Sequence, residues 1–382
     1  MTKDDDKQIS FVNFRAFNEV FDLKLFQEEL LDSLVFSTDP EENLIKEEVV
    51  NNVVYVDKEA KTSLIFKESA EGEKFTLEGI VGDSYIITPL LNGPKNKHML
   101  KKLKHEDLAN DYLIPEIVTD MKNENQRRRR SAPSVVRPEI LVVVDSTLFT
   151  KLGRDTAATN QYIRNFWSGV NLRFRTLSNP RVELSIAGII IAKTPASTPF
   201  LKNSKVSANT FNAATALDLM GKHYYMVNGM NLPTFDMVIT LTDLDMCSMK
   251  GSYCNKNTNG YAYVGGACTT DDWHQKINSV AIVEDAGGYS GVVVAAHEVA
   301  HLLGAVHDGE APSAYLSGPG ASACSSAGGF IMSNSRHTET GLRWSKCSQD
   351  QLSHFLTSPR ASCLYNSPHT QPHPLGDHVF PL

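Results

Sequence analysis

Residues 297–308 read His-Glu-Val-Ala-His-Leu-Leu-Gly-Ala-Val-His-Asp, and those residue types at that spacing suit one kind of chemistry. His297 and His301 are four apart, so on a helix both imidazoles project from one face toward a single point. Glu298 sits one residue round, where a carboxylate reaches a metal-bound water without itself being a ligand. Gly304 can adopt positive φ and end the helix sharply, which lets the chain turn back and bring in His307. Three neutral nitrogen ligands with an open fourth position describe a catalytic zinc site; a structural site would be closed by four protein ligands.

A bare His-x-x-x-His is weak evidence, since most such pairs are polar residues on a solvated helix face. Gly304, His307 and Asp308 at fixed offsets make coincidence a poor explanation. Downstream, Gly-Gly-Phe-Ile-Met-Ser at 328–333 supplies Met332. Alone it would pass as core filler; after the histidines it looks like the methionine turn beneath a zinc ion. The combination resembles the metzincin metalloproteases.

The elements that must carry these residues follow from the apolar pattern. Residues 139–145 form a buried-strand run, and 157–174 read as a helix with Ile163, Phe166, Trp167 and Val170 at helical spacing. Further strands are expected at 182–192, 235–242, 261–264 and 279–283, with helices at 210–224, 291–303 and 348–356. Alternating strands and helices imply an α/β fold, a twisted and mainly parallel sheet. A smaller C-terminal part, roughly 309–363, would hold the methionine turn.

The front of the chain is different. Residues 1–130 carry 19 basic and 26 acidic side chains and therefore the whole net charge of −7, whereas the remainder is neutral. Strand-like runs at 52–56, 63–67, 74–80 and 85–89 make this segment β-rich. It ends in Arg127–Arg130, a basic run between two compositionally distinct halves, which looks like a cleavage site for a furin-type processing protease acting after Arg130. The chain divides accordingly into a propeptide (1–130), a metalloprotease domain (131–366) and a disordered tail (367–382) containing His369, His373 and His378. The neutral second half has no basic–aromatic stripe, which argues against nucleic-acid binding.

All six cysteines lie beyond residue 246, an even cluster that favours disulfides and an oxidising compartment. The acidic start, Met-Thr-Lys-Asp-Asp-Asp-Lys, is no secretory signal as it stands, so either the chain is cytosolic or a leader is missing; the cysteines favour the second. No run of 18 apolar residues exists, and a membrane span is not expected.

Across most of 138–366 the resemblance narrows to the reprolysin (adamalysin) branch. Asp308 fits it, as does Gly-Tyr-Ala-Tyr-Val-Gly at 260–265 ending at Cys268, similar to that branch's substrate-binding edge strand. The resemblance implies a structural calcium site of Glu139, Asp236, Cys363 and Asn366, oxygen ligands of mixed charge as calcium requires. It also implies the pairs Cys268–Cys363, Cys324–Cys347 and Cys247–Cys254, although spacing alone allows fifteen pairings. Reprolysin-type zymogens are commonly silenced by a propeptide cysteine on the zinc, and this front segment has none. The short form looks like the metalloproteases of arachnid venoms and saliva.

The expected activity is that of a secreted, monomeric zinc endopeptidase made as a zymogen, with Glu298 as general base and protein or peptide substrates laid along the edge strand. The alternatives are a catalytically weak toxin of this fold that acts by binding, a membrane-anchored sheddase, and another zinc hydrolase such as a deaminase. Glu298 with all three histidines weighs against the first, the lack of a membrane segment or adhesive module against the second, and His307 with the methionine turn against the third.

Overall fold

A computed structural model of the chain describes residues 2–4, 9–28, 33–38, 41, 43–48, 53–68, 75–82, 84–90, 97–103, 111–115, 132–227, 234–335 and 343–366. The processing run 127–130 and the tail 367–382 lie outside the described residues.

The strand Glu139–Val144 is buried at every position, so both of its faces are covered, as in a parallel sheet flanked by helices. It lies inside an eight-stranded sheet ordered Tyr112–Leu113, Gly260–Tyr263, Val280–Glu284, Met237–Thr242, Glu139–Val144, Ser185–Ile191, Leu34–Thr38, Leu44–Lys46. Every neighbouring pair is parallel except Gly260–Tyr263 with Val280–Glu284 and Leu34–Thr38 with Leu44–Lys46. Ile140, Val142 and Val144 face the helices Thr156–Phe174 and Val292–Leu302, while Leu141 and Val143 face Ala213–Val227. This is the expected mainly parallel α/β architecture. The helix expected at 210–224 starts only at Ala213, because Thr210–Asn212 is drawn into a strand beside Asp245–Lys250.

The front segment is more regular than its sequence suggests. Eight strands between Thr2 and Lys102 form a second sheet, and its adjacent strands pair antiparallel. Glu19–Glu28 escapes notice in the sequence because four charged residues interrupt its apolar ones, yet Leu23, Leu25 and Glu28 all point inward. Three further strands of this segment, Leu34–Thr38, Leu44–Lys46 and Tyr112–Leu113, leave it and extend the two edges of the mainly parallel sheet. A division at residue 130 therefore cuts across a shared sheet.

The front sheet packs on the outer face of Thr156–Phe174, which explains why residues 159–174 of that helix are buried on every side, polar ones included. Ser63 Oγ donates to Asn165 Oδ1 at 2.5 Å, Ser168 Oγ donates to Glu28 Oε2 at 2.5 Å, and Arg164 donates to Ser33 at 2.9 Å. Glu28 also pairs with Arg175 at 2.6 Å. At Gly79 a Cβ would collide with the carbonyl of Ser63 and the amide of Asn165, so glycine allows this close approach.

Three disulfides join Cys247 to Cys254, Cys268 to Cys363 and Cys324 to Cys347. The second ties the loop after strand Gly260–Tyr263 to the closing 3-10 turn Pro359–Tyr365; the third ties the loop before Met332 to helix Lys346–Leu356.

Candidate functional site

Helix Val292–Leu302 opens with three valines, whose β-branching disfavours helix, so burial against the sheet rather than propensity holds it. Its start is fixed by the buried Asp285, which accepts from Gly291 N at 3.2 Å, Ser290 Oγ at 2.9 Å and Tyr162 Oη at 2.6 Å. Its end is a Schellman motif: Gly304 N bonds His301 O, Ala305 N bonds Ala300 O, and Gly304 takes φ +92°. A Cβ on Gly304 would press on the Phe355 ring. The turn brings His307 back beside His297 and His301, with ring centroids 4.5, 4.9 and 5.1 Å apart.

Each histidine has its Nδ1 committed elsewhere. His297 Nδ1 donates to Ile331 O at 2.7 Å and His301 Nδ1 to Ala305 O at 2.8 Å; His307 Nδ1 lies 3.3 Å from Glu310 Oε1. These partners select the tautomer whose Nε2 carries a lone pair, the form that binds metal. The three Nε2 atoms turn toward one another, 3.2 Å apart between His297 and His307. Met332 is fully buried next to Ile331, and its carbonyl accepts from Asp308 N at 2.9 Å. The Asp308 carboxylate in turn accepts from Ser333 at 2.9 Å and Ser345 at 2.6 Å. Asp308 and Met332 thus join the third histidine to the turn that orients the first. Glu298 is buried beside strand Gly260–Tyr263, where a Cβ on Gly260 would strike its carboxylate; glycine is needed there to admit the acid.

A fourth residue completes the cluster, one with no local signature in the sequence. Asp111 is fully buried, with Oδ2 at 3.2 Å from His297 Nε2 and Oδ1 at 3.5 Å from His301 Nε2 and 2.9 Å from His307 Nε2. Neither Asp111 oxygen, nor His301 Nε2, makes a well-directed hydrogen bond among the described residues. A tetrahedral zinc with ligands at ~2.1 Å spaces its donor atoms ~3.4 Å apart, and the contacts across this cluster run from 2.9 to 3.5 Å. The residues fit a zinc ion in donor type, spacing and undirected lone pairs. Burial opposes ionisation of Asp111, but His307 and His297 outweigh it and hold the carboxyl well below its usual range. Burial also pushes His301 down; at His307 it is outweighed by Asp111 and Glu310, which raise that imidazole to about 9.

Tyr112 follows Asp111 across the site. Its ring lies 4.9 Å from His301 and 5.2 Å from His307, and its hydroxyl donates to Glu310 Oε2 at 2.8 Å. Glu310, also missed in the sequence, accepts from His307 N at 3.1 Å.

At the far end of the sheet, Glu139, Asp236 and Asn366 come together. Glu139 N donates to Asp236 Oδ2 at 2.8 Å and Asn366 Nδ2 to Glu139 Oε2 at 2.5 Å. Cys363 lies in the 3-10 turn just before Asn366. Burial, with the Glu139 charge beside it, raises Asp236 to about 7.

Comparison with known proteins agrees with this geometry. The model of reprolysin-type metallo-peptidases of family M12 matches residues 137–345, more than half of the chain. The chain belongs to that family, whose members are zinc metallopeptidases. It is 49% identical over 247 residues to an "A disintegrin and metalloproteinase with thrombospondin motifs like" protein of Bombyx mori, covering 64% of this chain and 35% of that protein. Venom metalloproteinase 3 of Eulophus pennicornis is 29% identical, with 59% of this chain and 51% of the relative covered. Venom metalloproteinase antarease TserMP_A of Tityus serrulatus is 26% identical over 81% of this chain and 82% of its own length. The chain thus spans about a third of the Bombyx relative and half of the Eulophus one. No described helix is long and apolar enough to cross a membrane.

Proposed function

We propose that this chain is the latent precursor of a secreted zinc endopeptidase that cuts extracellular, host or prey proteins after processing at Arg130. The observation that carries the reading is the convergence of three Nε2 atoms, each with its Nδ1 engaged, next to the buried Glu298. His297, His301 and His307 would hold the zinc, which when bound supplies an acidified water and polarises the scissile carbonyl. Glu298 takes the proton of the attacking water and returns it to the leaving amine. The substrate backbone extends along Gly260–Tyr263, the strand that the front segment covers in this precursor. Glu139, Asp236, Asn366 and the Cys363 carbonyl would hold a structural calcium ion.

Digestion of a peptide library before and after processing, with and without chelator, tests the reading. Chelator is expected to abolish cleavage, and Glu298→Ala to retain zinc while losing roughly 10²–10⁴-fold in kcat. Undiminished cleavage by that variant would contradict the mechanism, and zinc-replete, correctly processed protein with no cleavage would favour the binding-toxin alternative.

A further inference from the structure

We propose that Asp111 is the ligand that silences the precursor: its carboxylate takes the fourth zinc position, and the strand that follows it seals the substrate groove. The proposal rests on the zinc reading above and deepens it.

Four observations converge. The six cysteines of this sequence are all paired with one another behind residue 246, so none of them offers a thiolate to the metal. The buried carboxylate stands within 3.5 Å of all three Nε2 atoms. A carboxylate removed from water is strongly disfavoured unless a charge compensates it. A divalent cation between the carboxylate and the three Nε2 atoms satisfies all four groups at once, in place of protons shared among them.

The backbone supplies the third and fourth. Asp111 O accepts from Ala262 N at 3.1 Å and Leu113 O accepts from Val264 N at 2.9 Å, with Tyr112 opposite Ala262 and Leu113 opposite Tyr263. The segment therefore uses the same edge hydrogen bonds an extended substrate would use. It also holds a carboxylate, not a scissile peptide bond, over the histidines. Tyr112 caps His301 and His307 and is latched to Glu310.

Placement sets how the lock opens. Asp111 lies on the front side of Arg130, so a cut there severs the chain without moving the carboxylate. Leu34–Thr38 pairs with Ser185–Ile191 on the opposite edge of the sheet, and the front sheet grips Thr156–Phe174, so the severed piece stays bound until those contacts release. Thiol-directed reagents have no part in this release.

The test uses the full, uncut chain loaded with zinc, or with cobalt for spectroscopy, as wild type, Asp111→Asn and Asp111→Ala. The expected result is equal metal content in all three, a changed cobalt visible spectrum in both variants, and acetohydroxamate binding tightened about 100-fold or more as the tethered competitor is lost. Thermal melting identifies any variant that fails to fold, and the near-isosteric Asp111→Asn then carries the comparison. Folded variants with unaltered cobalt spectra and unaltered hydroxamate binding would overturn the proposal and assign latency to steric cover. Wild-type chain that takes up no metal before or after processing would overturn the zinc reading itself, and this proposal with it.

Discussion

Three histidines make a metal site only when the other nitrogen of each ring is spoken for. In this molecule the partners are two backbone carbonyls, of Ile331 and Ala305, and one carboxylate, of Glu310. The carbonyls survive any side-chain substitution, whereas Glu310 can be tested directly. Glu310→Ala is expected to weaken zinc binding about 10–100-fold with little change in Tm, read by competition with a chromogenic chelator; unaltered affinity would remove Glu310 from the site. The meeting of the three histidines was legible because helical spacing and one glycine turn confine them to a dozen residues. Asp111 was not, because its meeting with His297 depends on a strand docking from the other half of the chain, and an Asp-Tyr-Leu tripeptide has no local signature. Glu310 lies only three residues past His307 and could have been suspected as the orienting acid a metal-bound imidazole needs.

At the level of elements, burial rather than propensity decided the outcome. Glu139–Val144 and Met237–Thr242 are mostly apolar runs, and helix Val292–Leu302 is apolar apart from His297, Glu298 and His301; all three were readable from that pattern. The strands of the front segment were only half readable, since alternation with Asp, Glu and Lys on the open face dilutes their apolar face, as in Glu19–Glu28. The strand ends near Glu139 and Asp236 carry a consequence for pH. Asp236 is raised from 3.8 to about 7, so the folded chain holds its proton where the unfolded chain has lost it. In the absence of calcium, the stability this contributes is complete below about pH 4 and lost as pH rises through 7. Calcium selects the ionised form, so its addition is expected to raise Tm strongly at pH 8 and weakly at pH 5. Calorimetry with zinc held constant checks this; an equal gain at both pH values, or none at either, would contradict a calcium site here.

On the scale of the whole molecule, the front segment is built into the domain it precedes. It lengthens the catalytic sheet at both edges and turns a helix with a polar outer face into one buried all round. That covered face mixes Arg164, Asn165 and Ser168, matched by Ser33, Ser63 and Glu28, with Leu172, which packs on Val54 and Val56. A cut chain is therefore expected to co-elute as a bound pair on gel filtration at neutral pH, and to separate and gain activity only after mild denaturant or further cleavage. Immediate separation on cutting would show that the shared sheet contributes little to holding the pieces together.

Activity, latency and release all depend on His297, His301 and His307 binding one zinc ion through Nε2. Zinc K-edge X-ray absorption on the full uncut chain measures that most directly. The expected spectrum shows one zinc per chain with three imidazoles and one oxygen donor; a sulfur shell, or fewer than three imidazoles, would contradict it.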